Sequence, residues 1–186
     1  ETHEGDKMAK KLTIGAQLYT VRTFTQAAED FRRTAAKIAE FGYRTVQLSA
    51  IGKDISYGMA GEFCREYGLE IVLTHCDIYR ILYDTKALIK EHEKIGCRYL
   101  GLGGMPEKYR DEAWIRNFAK DMKQSVHMIR DAGMKFMYHN HAFEFEKIQG
   151  KYMLDYLLED ISAEEMGVTL DIYWLQVAGM DVCKWL

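Results

Sequence analysis

Apolar and polar positions along the chain fall into a unit that recurs five times: an amphipathic stretch runs up to a glycine, and a short apolar run starts directly after it. The junctions are Gly42 (before Tyr43-Arg44-Thr45-Val46-Gln47-Leu48), Gly68 (before Leu69-Glu70-Ile71-Val72-Leu73), Gly96 (before Cys97-Arg98-Tyr99-Leu100), Gly133 (before Met134-Lys135-Phe136-Met137-Tyr138) and Gly167 (before Val168-Thr169-Leu170). A glycine just past a helix end accepts the left-handed conformation that closes the last turn, so the chain can enter a strand at once. The junctions are 26, 28, 37 and 34 residues apart, each the length of one β/α unit, and five in series point to a parallel sheet with crossover helices. Strands are expected near 12–18, 43–49, 69–75, 97–102, 134–140 and 167–172, in sequence order with helices outside. The helix expected near 26–40 carries an apolar stripe through Ala27, Phe31, Ala35, Ile38 and Ala39, and its Arg32, Arg33, Lys37 and Glu40 form a solvated face.

An α/β chain of this kind closes into a barrel or opens into a doubly wound sheet. The first strand-to-helix turn, Gly15-Ala16-Gln17-Leu18-Tyr19-Thr20, has no GxGxxG, and Gly101-Leu102-Gly103-Gly104 runs into Met105-Pro106 instead of a helix. The dinucleotide version is thereby disfavoured. For Gly101 to Gly104 a tight turn or flexible loop is favoured over a phosphate cradle.

The 186 residues, 48% hydrophobic and 28% charged, suit a single globular domain,. A net charge of −3 gives no general attraction to polyanions, so a small metabolite is favoured over nucleic acid,. Cys64, Cys76, Cys97 and Cys183 are widely spaced and form no CxxC pair, which favours reduced thiols in a cytoplasmic protein over a zinc knuckle or disulfide framework,. There is no apolar stretch of membrane-spanning length and no signal-peptide core,. Glu1 to Lys7 are polar and aperiodic and Met8 follows them, so residues 1–10 are set aside as a tail or expression remnant and 11–186 as the domain.

In parallel α/β folds reactive side chains gather where strands end. Here those ends carry Gln17 and Tyr19, then Gln47 and Ser49, then Thr74, His75 and Asp77, then His139, Asn140, His141 and Glu144, and finally Asp171, Tyr173 and Trp174. On a strand, His139 and His141 project to one side, and imidazole with carboxylate suits a divalent ion such as Mn²⁺, Zn²⁺, Co²⁺ or Fe²⁺. Asp171 interrupts an apolar strand at its exit, where an unpartnered carboxylate would be costly, so it is a candidate ligand or acceptor. His75 is read either as a substrate contact or as a satisfied core histidine. Tyr19 and Trp174 either stack on a sugar ring or pack beneath the rim.

Three stretches resemble one family. Ile14-Gly15-Ala16-Gln17-Leu18-Tyr19-Thr20-Val21-Arg22 is similar to the first strand of sugar phosphate isomerase/epimerase proteins, whose barrel is shared with xylose isomerase and endonuclease IV. His139 to Phe145 resembles their fifth strand, and Thr169 to Trp174 with Ala178-Gly179-Met180-Asp181 resembles their sixth unit. The resemblance implies a (β/α)₈ barrel, here with about six units, and one divalent ion held by a carboxylate of the fifth strand, an aspartate of the sixth, a histidine of the seventh and a glutamate of the eighth. Asp171 matches the second ligand. His139 stands where many relatives have glutamate, so His139 and Glu144 are carried as joint candidates for the first. Glu144, His75 and His141 are the candidate catalytic groups, and Gln17, Tyr19 and Trp174 the candidate substrate contacts. No seventh or eighth strand follows Asp181-Val182-Cys183-Lys184-Trp185-Leu186, so the barrel is expected to need a homo-oligomer or another segment over its open side.

The function implied is metal-dependent isomerisation or epimerisation of a sugar, sugar phosphate or polyol. The same enolate chemistry serves a keto-sugar or keto-inositol dehydratase or lyase. DNA repair, as in endonuclease IV, is disfavoured by the acidic charge. A catalytically incomplete fragment with a binding or assembly role is the third reading.

Overall fold

The computed structural model describes residues 12–186, so the expected tail over 1–10 lies outside the described residues. Six parallel strands form one sheet in the order β1 (Ala16–Gln17), β2 (Thr45–Leu48), β3 (Glu70–Cys76), β4 (Tyr99–Leu102), β5 (Lys135–His139) and β8 (Met166–Thr169). Two two-residue strands, β6 (Lys147–Ile148) and β7 (Lys151–Tyr152), make a separate antiparallel hairpin. The helices are α1 (Ala28–Glu40), α2 (Tyr57–Glu66), α3 (Ile78–Tyr83), α4 (Thr85–Ile95), α5 (Ile115–Asp131), α6 (Met153–Asp160), α7 (Ile172–Val177) and α8 (Val182–Trp185). This is a TIM-barrel type of fold with six of its parallel strands. Among the described residues neither β1 nor β8 has a strand on its outer side.

Gly42, Gly68, Gly96 and Gly133 all have positive φ, between 68° and 96°, and each releases the chain from a helix into a strand. Gly167 departs from the expectation: it lies inside β8, because α6 already ends at Asp160. There it is small for a different reason, since a Cβ would sit 2.6 Å from the Met137 sulfur. In α1 the stripe Phe31, Ala35 and Ile38 is buried, whereas Ala27 is exposed at the N-cap.

Strand alternation divides the side chains into two sets. Val46 and Leu48, Leu100 and Leu102, and Phe136 and Tyr138 are all at most 4% exposed and belong to the helix-facing cores. The alternate positions line the concave side and become polar towards the strand ends: Gln47 and Ser49, His75, Met137 and His139, Thr169 and Asp171. In β3 this phase depends on a bulge. The register runs Val46 with Ile71 but Gln47 with Leu73, so Val72 is an extra residue. Ile71 faces the helices, and after the bulge Thr74 and Cys76 do so too, which leaves Leu73 and His75 on the concave side. In an unbulged strand of the same sequence, His75 would keep the phase of Ile71 and point away from the rim.

Candidate active site

At the C-terminal ends of the strands lies a cavity of ≈ 340 Å³. His75, His139, His141 and Asp171 line it, together with Gln17, Tyr19 and Trp174. These seven sequence candidates are thus brought together; Glu144 is not among them.

His139 Nε2 donates to Asp171 Oδ2 at 3.0 Å, and its Nδ1 lies 3.2 Å from the carbonyl oxygen of Gly103. Asp171 is the N-cap of α7: its Oδ1 accepts the backbone N–H of Tyr173 at 2.9 Å and that of Trp174 at 3.4 Å. An aspartate that the sequence places at the end of a strand therefore starts a helix, where its charge satisfies free N–H groups. Asn140, fully buried, fastens this turn to β5. Its Oδ1 accepts the N–H of Asp171 at 2.7 Å, and its Nδ2 donates to the carbonyl of the same residue at 3.2 Å.

His75 is held at both ring nitrogens, with Gln47 Nε2 at 2.8 Å from its Nε2 and Ser49 Oγ at 3.0 Å from its Nδ1. The Gln47 amide nitrogen can only donate, so Nε2 is the acceptor and the proton sits on Nδ1, donated to Ser49. Burial, reinforced by the neighbouring His139 and His141, lowers the His75 pKa to about 4. Near pH 7 His75 is therefore neutral, with both ring nitrogens engaged.

His141 is different. Its ring packs edge-on to His139 (centroids 4.8 Å apart), against Trp174 (5.1 Å) and parallel to Phe143 (5.8 Å). Its Nδ1 is buried without a hydrogen-bond partner among the described residues. Burial first, then the nearby His139 and Arg110, hold it below the ordinary imidazole range. The glycines after β4 make room for these rings: a Cβ on Gly103 would lie 3.0 Å from His75 Nδ1, and one on Gly104 2.8 Å from His141 Cε1. The Gly101 to Gly104 segment thus cradles imidazoles.

Glu144 sits in a 3-10 turn, Phe143–Phe145, and is fully buried. Its Oε1 accepts the Tyr138 hydroxyl at 2.5 Å and its Oε2 the backbone N–H of His141 at 2.7 Å. The expected convergence of Glu144 with His139 and Asp171 does not occur, because both carboxylate oxygens are committed on the helix-facing side of β5. Burial raises the Glu144 pKa above the usual carboxylate range, and Tyr138 is pushed up likewise. The sequence reading missed this tether and the Asn140 clamp; the signal for the first was the alternation that puts Tyr138 on the opposite face from His139.

Fold and site define a (β/α)-barrel domain with a polar, histidine-rich rim at the strand ends. The chain belongs to the xylose isomerase-like TIM barrel family, whose sequence profile matches residues 35–184. A sugar phosphate isomerase/epimerase from Parabacteroides distasonis is similar over 97% of this chain and 72% of its own, with a TM-score of 0.76 and 16% identity. The probable 3-DHS dehydratase AsbF from Bacillus anthracis is similar over 93% and 68%, with a TM-score of 0.66 and 9% identity. A xylose isomerase-like TIM barrel protein from Mycobacterium smegmatis, in complex with magnesium, is similar over 84% and 63%, with a TM-score of 0.61 and 12% identity. At these identities the likeness is one of fold. No curated protein matches the sequence.

Proposed function

We propose that the rim cavity binds a sugar or sugar-derived polyol and catalyses isomerisation or epimerisation by moving a proton at the carbon beside a carbonyl. The observation that carries this reading is His141: an imidazole lining a polar cavity, with a buried ring nitrogen that no group among the described residues satisfies. Its lowered pKa makes it a neutral base near pH 7,. His141 takes the proton from the substrate carbon. In isomerisation it returns it to the former carbonyl carbon while the hydroxyl proton passes to the former carbonyl oxygen; in epimerisation water protonates the same carbon on its opposite face and His141 gives up its proton to solvent. The His139–Asp171 pair, fixed by Asn140 and the start of α7, holds the substrate's oxygens. Tyr19 and Trp174 offer aromatic faces to the apolar side of a sugar ring,.

The family resemblance implies a divalent ion, and a relative of this fold is in complex with magnesium. The donors described do not make a complete site for one. His139 and Asp171 bond to each other, Glu144 is committed elsewhere, and no group of three or more His, Cys, Asp or Glu among the described residues is placed to hold an ion. Three or four protein ligands are the usual minimum for a transition-metal centre, and the described residues bring only His139 and Asp171 together here. Cys64, Cys76 and Cys97 are buried free thiols, which fits a reducing compartment and supports work in the cytoplasm.

The test is deuterium exchange into aldoses, ketoses and keto-sugars in D₂O, followed by NMR. Exchange at the carbon beside the carbonyl is expected, with a loss of about 100-fold or more in His141→Asn, the usual scale for a general base. Unaltered exchange in that variant, or none with any sugar, refutes the assignment. Loss of water from the product would make the protein a dehydratase using the same first step.

A further inference from the structure

We propose that the cavity beside the rim site is a second sugar subsite, so that the substrate is an unphosphorylated disaccharide or glycoside instead of a single sugar or a sugar phosphate. This rests on the reading of the rim as a sugar site. A cavity of ≈ 460 Å³ lies between the end of β2, the loop after it and α3, and it shares Ser49, Ala50 and His75 with the ≈ 340 Å³ rim cavity. Each is in the range of small-molecule sites, roughly 300–1,000 Å³. A sugar reacting in the first therefore places its outer substituent at the mouth of the second.

The shared wall is rigid. Ala50 has φ +53°, unusual for a residue with a side chain, and its carbonyl is held by Gln26 Nε2 at 2.8 Å. Two residues on, the Gly52 N–H donates to the Thr25 carbonyl at 2.8 Å, and a Cβ at Gly52 would lie 1.9 Å from the Gln26 carbonyl oxygen. A strained backbone kept in place by such contacts is a feature of ligand sites, and it keeps the cavity from collapsing.

The lining selects the ligand. Two cations, Lys53 and Arg80, face two carboxylates, Asp77 and Glu91. The Arg80 guanidinium is spent on Glu91 at 3.0 and 3.1 Å and on Asp84 at 3.0 Å, so Lys53 is the one lining cation without an ion pair among the described residues. With Glu91 paired to Arg80, a phosphate would meet one free cation, Lys53, beside the Asp77 carboxylate, whereas phosphate sites gather several cations or N–H donors,. Neutral hydroxyl groups donate to the carboxylates and accept from Lys53 and the serines. Ile51 and Ile55 supply an apolar strip for the C–H face of a pyranose.

Calorimetric titration of the whole chain with glucose, cellobiose, maltose and glucose 6-phosphate tests this, repeated on Lys53→Trp, which fills the cavity from an exposed position, and Lys53→Ala, which removes the ammonium group and its stem without filling the cavity. At least one disaccharide is expected to bind about tenfold more tightly than glucose, with glucose 6-phosphate no tighter than glucose. The disaccharide advantage should vanish in Lys53→Trp and be reduced but not abolished in Lys53→Ala, which loses one donor to the outer sugar. Equal affinities for glucose and both disaccharides, or an advantage that persists in Lys53→Trp, overturn the subsite. Tight glucose 6-phosphate binding that Lys53→Ala abolishes makes the cavity a phosphate site and overturns it too. Binding of none of the four sugars overturns the sugar reading of the rim, and this inference with it.

Discussion

Glu144 separates a ligand from a tether, and its replacement by alanine has a calculable consequence. The carboxylate is fully buried between the Tyr138 hydroxyl at 2.5 Å and the His141 N–H at 2.7 Å. Alanine leaves both donors without an acceptor, the first of them in a fully buried side chain. Each unsatisfied donor costs about 1–3 kcal/mol, so Glu144→Ala is expected to destabilise the fold by about 3 kcal/mol, a large part of a domain's typical stability of about 5–15 kcal/mol. Glutamine keeps an acceptor for His141 and a group that can bond Tyr138, so its cost should be about 1 kcal/mol or less. The pH dependence has a definite sign. Because burial raises the Glu144 pKa, the carboxyl's favourable contribution is fully present below its unfolded pKa and is lost as pH rises through the folded one. The amide suffers no such loss, so the Gln variant should gain relative to the wild type on going from about pH 4 to about pH 7. Urea unfolding followed by tryptophan fluorescence measures both effects. An Ala variant of wild-type stability that loses divalent-ion binding would refute the tether and restore Glu144 as a ligand.

Gly104→Ala brings a Cβ to 2.8 Å from the His141 ring; proton exchange should fall about tenfold or more while the fold survives, and unchanged exchange would show that the ring position is immaterial. For His75, with a folded pKa of about 4, the stabilising contribution is full above the unfolded value near 6.5 and is lost as pH falls towards 4, by up to about 3 kcal/mol. His75→Asn should flatten that part of the urea-midpoint profile, and an identical slope would contradict it. The 186-residue chain should sediment as a dimer or larger at micromolar concentration, because Leu12 and Ile14 beside β1 and Ile172, Tyr173 and Val177 after β8 are exposed. It should also bind Mn²⁺, Zn²⁺, Co²⁺ or Fe²⁺ only weakly through His139 and Asp171; a stable monomer that takes up one ion tightly would refute both expectations.

The fold was legible in the sequence because helix-closing glycines are a local requirement: four of the five junctions have the left-handed backbone the argument needs. Gly167 misled because a glycine beside an apolar run looks the same whether it ends a helix or makes room for Met137 across a strand pair. The β6–β7 hairpin escaped notice because two-residue strands leave no alternation to read. At the site, period two correctly put His139 and His141 on one rim. It could not locate Glu144, since the 3-10 turn after the strand rotates the chain away from that period. Nor could it show that Asp171 caps a helix and His75 is bonded at both nitrogens, which are facts of register between segments distant in sequence.

The polar rim depends on two local departures from regular strand structure. The extra residue at Val72 turns His75 inward, and the glycines at 103 and 104 leave space where a side chain would collide with His75 or His141. The two act together: a Cβ at 103 would press on the inward His75 at 3.0 Å, and the ring fills that space only because the bulge turns it inward. The two segments come from β3 and from the turn after β4, which pair through His75 with Gly101. The bulge and the glycines therefore have to be retained together for three imidazoles to share one cavity. Among them only His141 is left without a hydrogen-bond partner on its ring within the described residues.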